Sequence, residues 1–213
     1  LQFGRTTITS ILSQQKSKTS EVEVSGGAQT TEFDIYADDY EANKHFFLAH
    51  YFKNQYDDAL ANLPFVNSAI NITKIEVWIT NKTGTTNNTR NIVSFLDLGE
   101  TEIYNNSPDF ANNVFGQYPD NDDANDLYIN LTKNFSTARD INQVNNTFGP
   151  PYNVYFKAAY DYEKLERARQ LTSSEYTLHP QLGYISLNQA LNNDEVLAVA
   201  FQYTIGSNTY QVG

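Results

Sequence analysis

The alternation of apolar and polar residues from position 72 to position 80 constrains the fold more than any other feature of this sequence. Ile75, Val77 and Ile79 fall on one side of an extended chain. The residues on the other side are Glu76, Trp78 and Thr80. A period of two residues predicts a strand with one well-buried face.

A second apolar run follows at positions 91–98 and includes Ile92, Val93 and Phe95. It is too apolar for a half-exposed strand, so we expect a central strand that forms a pair with the first one. The connection from Thr80 to Arg90 contains Gly84, three asparagines and five threonines, which is the composition of a loop.

Composition predicts a β-rich protein of the cell surface or a secreted protein. The 213 residues suffice for one large domain or two small ones. Charged residues make up only 18% of the chain and aromatic residues 14%, a balance that suits exposed β-structure better than a helical enzyme. The net charge of -11 argues against binding to nucleic acid or to anionic lipid headgroups.

Two residue types are missing from the sequence. The absence of cysteine excludes disulfides, thiolate metal sites and cysteine nucleophiles. Because the chain also lacks methionine, we expect that Leu1 is not a native start and that the sequence is part of a longer protein. It contains no apolar run of about 18 residues and no signal peptide.

The first 36 residues predict strands. Leu1 to Gln15 alternate loosely, and further strand candidates lie around Val22 to Val24 and at Thr31 to Tyr36. This pattern is typical of membrane β-barrel strands and equally of an ordinary antiparallel strand pair. We divide the chain into this strand segment, 1–36, and a folded β-rich domain, 37–213.

Two helices and several further strands are predicted in the rest of the chain. The first helix has Asp38 or Asp39 as its N-cap, continues or restarts through 56–62 and ends at Pro64; the second covers 161–171. The segments 127–131, 183–187, 195–205 and 209–212 predict strands, the last two joined by a turn at 206–208. Residues 101–126 are expected to be irregular, and 134–146 to form a loop with a short helical piece.

Aromatic residues are crowded into the first predicted helix. They are Tyr40, Phe46, Phe47, Tyr51, Phe52 and Tyr56. One helix face cannot bury so much aromatic surface, so we expect a second contact surface there, within the domain or with a partner.

The acidic run from Asp120 to Asp126 resembles a calcium loop in its alternating carboxylates. It lacks the required glycine, has Ala124 in place of an oxygen ligand, and has no glutamate six residues after Asp126. A solvated acidic loop is the favoured interpretation.

Other chemistry is equally poorly supported. His45 and His50 lie five residues apart, not the four that place two zinc ligands on one helix face, and His179 is remote in sequence. The sequence contains no GxSxG signature and no phosphate-binding glycine pattern. We therefore assign no catalytic, cofactor-binding or metal-binding residue and predict a protein that is not an enzyme.

Four stretches of the sequence resemble the SprA family, the gliding-motility and type IX secretion outer-membrane proteins of Bacteroidetes. They are VSGGAQTTEFDIYADDYEANKHFFLAHYF (24–52), ITKIEVWITNKTGTTNNTRNIVSFLDLGE (72–100), DYEKLERARQLTSSEYTL (161–178) and HPQLGYISLNQALNNDEVLAVAFQYT (179–204). Together these stretches cover more than half of the chain in a consistent order.

The resemblance implies an α+β, β-rich fold, an antiparallel sheet or sandwich with a few short helices, inserted in or cut from a larger outer-membrane β-barrel protein. It implies a domain that caps or gates a protein-conducting pore, with an extracellular position favoured over a periplasmic one. The implied partners are secreted cargo proteins, a PorV-like barrel and a plug protein, and no cofactor is implied.

A different class of function stays open on the residues alone. An adhesin-like binding module would use the loops Thr80 to Arg90 and Asp120 to Asp126 to hold a glycan or calcium. Such a ligand would stabilise the folded chain by mass action, which separates this class from a pore-capping domain.

Overall fold

The computed structural model describes residues 2–3, 6–7, 36, 39–96, 119, 122, 127–154 and 156–213. The chain divides into two compact units, Leu1–Tyr40 and Glu41–Gly213. The first unit contains β1 (Gln2–Phe3) and β2 (Thr6–Thr7), which pair antiparallel. The strands predicted at 22–24 and 31–35 lie outside the described residues. Among the helices of the described part, none is long and apolar enough to cross a membrane.

In its described residues, the second unit contains two antiparallel sheets and four short α-helices. The strands are β3 (His45–Phe47), β4 (Ile70–Ile79), β5 (Thr89–Phe95), β6 (Tyr162–Gln170), β7 (Tyr176–His179), β8 (Tyr184–Leu187), β9 (Leu197–Ile205) and β10 (Asn208–Val212). The helices are α1 (His50–Asn54), α2 (Tyr56–Leu60), α3 (Leu127–Lys133) and α4 (Val144–Thr147), with 3-10 turns at Ser136–Arg139 and Tyr152–Val154. The strand orders β10-β9-β4-β6-β5 and β3-β8-β7 confirm the predicted β-rich α+β class with antiparallel sheets.

The alternation at 72–80 predicts a strand, and the structure shows β4 there, in the middle of the larger sheet. It pairs with β9 along its whole length, from Ile70↔Ile205 to Ile79↔Leu197. Val77 is fully buried and packs with Ile185 and Leu187 of the smaller sheet. The two sheets therefore face each other across a shared apolar core.

Among the described residues β5 lies at the edge of the larger sheet, and the expectation that it pairs with β4 is wrong. The strand β6 lies between β4 and β5. Val93 and Phe95 pack against an apolar cluster around Phe148 in the helical segment. Ile92 lies on the opposite face of the sheet and packs near Trp78. In the described part of the chain, the helical segment and neighbouring side chains therefore cover Ile92, Val93 and Phe95. The polar connection 80–88 is a loop, as predicted.

The segment predicted as a helix at 161–171 is the strand β6. Its buried residues, Tyr162, Leu165, Ala168 and Leu171, recur every three positions, which imitates a helical face. A β-bulge accounts for the step from Leu165 to Ala168, since Ile92 pairs with Leu165 and Arg90 with Ala168, so two residues of β6 face one of β5. Tyr162 and Leu171 lie on the opposite face, in two other apolar clusters. Arg167 in the bulge has a φ of 50°, and its N–H donates to Asn91 Oδ1 over 2.8 Å.

The first predicted helix begins later than expected. His45 to Phe47 form β3, which pairs with β8 through Phe46↔Ile185, so tertiary pairing overrides local helix preference. The helix α1 starts at His50 after an extended Ala49, with φ -154° and ψ 157°. The helix restarts as α2 and ends before Pro64, as predicted. Asp38 lies outside the described residues.

The segment 127–131 is the helix α3 and not a strand. Leu131 is 6% exposed in the cluster around Phe148, whereas Ile129 is 37% exposed. On a strand these two residues would share one face, so their different burial reflects the helical period. The predicted loop with a short helical piece at 134–146 is confirmed by the 3-10 turn at Ser136–Arg139 and the start of α4.

The junction between β4 and β6 is short. Only Trp78↔Gln170 and Ile79↔Arg169 pair there, supported by Leu171 N–H donating to Val77 O over 2.8 Å. The same β6 pairs with β5 from one end to the other. The larger sheet therefore consists of a β5–β6 ribbon and a β4–β9–β10 ribbon joined at one end.

Candidate interaction surface

The smaller sheet has an outer face that carries functional groups. Ile185 and Leu187 of β8 point into the core, so the alternating Tyr184 and Ser186 point outward. The same alternation turns the half-buried Phe46 of β3 and Leu178 of β7 toward the core. The outward residues of those two strands are His45, Phe47, Thr177 and His179.

Four rings form what we call the aromatic row, namely Phe47, Tyr56, Tyr184 and His179. Phe47 packs edge-on against Tyr56 at 5.5 Å and Tyr184 at 5.8 Å between ring centroids. The His179 ring stacks on Tyr184 at 4.2 Å and 15°. Phe47 keeps 41% of its surface exposed. Of the aromatic residues in the block predicted as one helix, Phe47 lies on β3 and Tyr56 on α2, and their rings contact each other within the domain.

A second set, the polar row, runs beside the first and consists of Glu41, His45, Ser186 and Thr177. His45 Nδ1 and Ser186 Oγ are 2.8 Å apart, and His45 Nε2 and Glu41 Oε2 are 3.0 Å apart. Thr177 is exposed and lies opposite Ser186 in the β7–β8 register. Each strand of the sheet thus contributes one member to each row.

Electrostatics keeps both rows close to neutral. Hydrogen bonds from Lys44 and then from His45 hold the pKa of Glu41 below its usual value, so its carboxylate is charged and paired with Lys44 Nζ at 2.6 Å. Burial, followed by the nearby Tyr56, raises the pKa of Tyr184. The phenol therefore stays uncharged at neutral pH.

Ser186, His45 and Glu41 are the residue types of an acyl-transfer triad. Here Ser186 contacts the Nδ1 of His45 and Glu41 contacts Nε2, the reverse of the usual order. His45 and Glu41 have about half of their side-chain surface exposed, on an open sheet face. A base and a carboxylate so exposed are poorly placed for covalent catalysis, which works in a site closed to water.

A cleft lies where the two ribbons of the larger sheet diverge. It has a volume of about 830 Å³ and is lined by both ribbons, including Glu76, Trp78, Arg90 and Ala198. Trp78 Nε1 donates to Glu76 Oε2 over 3.2 Å, and the Arg90 guanidinium lies 5.8 Å from the Trp78 ring centre. These contacts fix the only tryptophan of the chain in the wall of the cleft.

The structure also shows where the three histidines and the acidic run lie that the sequence suggests as possible metal ligands. His45 lies on β3, His50 begins α1 and His179 ends β7. Within the described residues, no three His, Asp or Glu side chains come together as a metal site. Of the acidic run only Asp122 is described; it is buried, and its Oδ1 accepts the Gly213 N–H over 2.8 Å.

Sequence reasoning did not find the two rows, although a signal was present. The predicted strand at 183–187 alternates between Tyr184, Ser186 and the apolar Ile185, Leu187, which marks an outer face with two functional groups. The partners on that face come from β3, more than a hundred residues earlier. Pairing at that distance has no local pattern.

Comparison with known proteins identifies the family. A search of curated proteins finds no match to this chain. The model of the SprA_N family, described as motility related/secretion protein, matches residues 1–203 and so covers nearly the whole sequence. The chain therefore belongs to the SprA_N family of motility-related and secretion proteins.

Proposed function

We propose that this chain is a non-catalytic segment of a type IX secretion translocon in the outer membrane, and that its folded unit caps or gates the protein-conducting pore. The observation that supports the proposal is the family match over residues 1–203. The proposal adds a pore-capping role to the role in motility and secretion that the family has.

The surface chemistry of the chain supports a wall past which folded proteins move. The chain has 25 acidic against 14 basic residues, and net charge of this size keeps protein surfaces from adhering to each other. The loop 82–88 is exposed throughout and consists of polar residues and glycine. Such a surface lets cargo slide without forming stable contacts.

The proposed partners are the secreted cargo, a PorV-like barrel and a plug protein. The proposed location is the extracellular end of the pore. A cap at that end would meet cargo as it leaves, whereas a periplasmic position would make the same domain a plug.

Protease accessibility in intact cells tests the location. A protease site is inserted between Thr85 and Thr86 of the parent protein, in the exposed loop before β5. This position leaves the Asn81 Nδ2 bond to Thr85 O and the Thr89 Oγ1 bond to Thr86 O intact. A matched control carries a scrambled insert of the same length at the same position.

Cleavage from outside the cell is the expected result. Protection that disappears only when the outer membrane is permeabilised would replace the cap with a periplasmic plug. The gating role has its own test, the deletion of residues 40–203 from the parent protein. The deletion is expected to change secretion or membrane leakage, and normal behaviour in both assays would overturn the proposal.

A further inference from the structure

The outer face of the smaller sheet has the size of a small ligand. The aromatic row and the polar row are two residues apart along each strand, which separates them by about 7 Å. Neighbouring strands lie about 4.8 Å apart, so the three strands span about 10 Å. The two rows together therefore cover an area similar to that of one or two sugar rings.

The aromatic row offers an apolar surface that is already fixed. Tyr56 and Tyr184 hold the Phe47 ring edge-on, and His179 stacks on the far side of Tyr184. Aromatic side chains give a large contact area for little loss of conformational entropy. Because these rings already pack against each other, a ligand that contacts them does not have to order them first.

The polar row offers hydrogen-bonding groups on the same level of the sheet. Ser186 and Thr177 contribute hydroxyl groups, which donate and accept. His45 and Glu41 add an imidazole and a carboxylate whose position is set by their mutual hydrogen bond. Every one of these groups stands beside the apolar rings and not on the far side of the sheet.

The charge of the face selects against ionic ligands. Glu41 is balanced by Lys44, and the other members of both rows are hydroxyls, imidazoles and rings. A phosphate or a nucleic acid requires clustered lysine and arginine, which this face lacks among the described residues. The chemistry favours a neutral ligand with an apolar face and a hydroxyl-rich edge.

We propose that this face binds a neutral pyranose sugar, with the C–H face of the ring on Phe47 and its hydroxyls toward Ser186 and Thr177. A pyranose combines an apolar face and a hydroxyl edge within one ring. The proposal is independent of the pore-capping function, because a sugar site of this kind would operate at any position in a secretion assembly.

Saturation-transfer NMR on the 213-residue chain tests the proposal with two probes, methyl β-glucopyranoside and cellohexaose. Transfer is expected to be strongest at the ring C–H protons. The variant Phe47→Ala removes the exposed ring, and Thr177→Val removes one hydroxyl while keeping the side-chain shape. The matched control is Phe65→Ala, which removes a ring that is 77% exposed in the loop after α2.

The expected result is binding that Phe47→Ala weakens about tenfold, Thr177→Val weakens less, and Phe65→Ala leaves unchanged. Tighter binding of cellohexaose would identify a polysaccharide chain as the source of the sugar, and equal affinity a single terminal ring of a glycan. Failure of both probes to bind at tens of millimolar, or equal binding by Phe47→Ala and the parent chain, would overturn the proposal. Thr177→Val keeps the test valid if Phe47→Ala does not fold.

Discussion

Gly183 lies directly beneath the ring of Phe52, so that a Cβ at position 183 would stand 2.0 Å from Phe52 Cγ. Gly183 ends the β7–β8 turn with a φ of +66°, and its carbonyl accepts the Leu48 N–H over 2.9 Å. Phe52 is 3% exposed and anchors α1 to the core formed by β4 and β9. This close approach sets the distance between the helix and the smaller sheet.

We predict that Gly183→Ala destabilises the fold through both the clash and the backbone. Overpacking against Phe52 costs about 1–3 kcal/mol, and a left-handed backbone for alanine costs about 1–2 kcal/mol more. Urea unfolding followed by circular dichroism measures the loss.

The control for this prediction is Gly84→Ala. Gly84 has the same φ of +66°, but no atom lies within 4 Å of its Cβ position. Gly84→Ala should therefore reduce stability only through the unfavourable backbone conformation. Equal destabilisation by the two substitutions would show that the contact with Phe52 is unimportant.

The bulge in β6 predicts a substitution that increases the stability of the fold. Arg167 holds a φ of 50°, which is unfavourable for any residue with a Cβ. Arg167→Gly is expected to raise the free energy of unfolding by up to about 1 kcal/mol, because glycine adopts this backbone without strain. The neighbouring Glu166→Gly, at the other bulge residue, whose φ is not positive, should lower it by about 0.5–1 kcal/mol.

Thermal unfolding of the two glycine variants is the direct measurement. If Arg167→Gly and Glu166→Gly shift the melting temperature in the same direction and by the same amount, the bulge stores no strain. Asn91→Ala provides a further check, since it removes the acceptor for the Arg167 N–H and should destabilise the same turn of the chain.

The pKa of Glu175 predicts how the stability of the fold changes with pH. Burial alone raises the pKa of Glu175, but hydrogen bonds from the Thr172 N–H, Arg169 and the Thr172 hydroxyl together hold that pKa below its ordinary value. A lowered pKa in the folded state contributes stability that is present above about pH 5 and is lost as the pH falls through the folded value. Acid should therefore weaken the turn between β6 and β7.

The variant Glu175→Gln tests this dependence by urea titration at several pH values. Its urea midpoint is expected to lie below that of the parent at pH 7, and the difference should shrink toward pH 3 as Glu175 itself becomes protonated. Glu166→Gln, an exposed substitution on β6, serves as the control and should show no such convergence. A constant difference at every pH would mean that the charge of Glu175 contributes nothing.

Substitution in the core between the sheets is predicted to cause a large loss of stability. Ile185 of β8 is fully buried and packs with Val77 and Leu187. Ile185→Ala should cost about 2–5 kcal/mol through lost apolar contacts and the cavity that remains. Ile129→Ala on α3, where the side chain is 37% exposed, should change stability by less than about 1 kcal/mol. Similar costs for the two variants would contradict the position of the core.

The sequence predicts those elements whose pattern is local. The strand β4 follows from its alternation, and β9 follows from a run that is apolar on both faces. The strand β10 follows from the predicted turn, which joins it to β9 through Asn208↔Ile205, and β8 lies within the strand predicted at 183–187. The sequence predicts a helix at β6 because buried residues from both faces of the strand recur every three positions, the bulge placing Leu165 and Ala168 on the same face. A bulge depends on the partner strand and leaves no mark of its own in the chain that carries it.

The candidate surface was predictable only in part. An aromatic excess around Phe47 indicates a contact surface, but the ring partners Tyr184 and His179 belong to strands far along the chain. The contact between His45 and Ser186 likewise spans 141 residues. Such neighbours are set by sheet register, and register follows from pairing that no local periodicity encodes.

The two-residue joint between β4 and β6 has a mechanical consequence. A pull that separates the ribbons loads the pairs at Trp78 and Ile79 and the adjoining hydrogen bond from the Leu171 N–H to Val77 O, which break one after the other. A pull along β4 instead loads its nine paired positions with β9 simultaneously. The domain therefore resists a pull along β4 more strongly than a pull between the ribbons. Under the second kind of force, the β5–β6 ribbon would move away while the β4–β9–β10 ribbon keeps its shape.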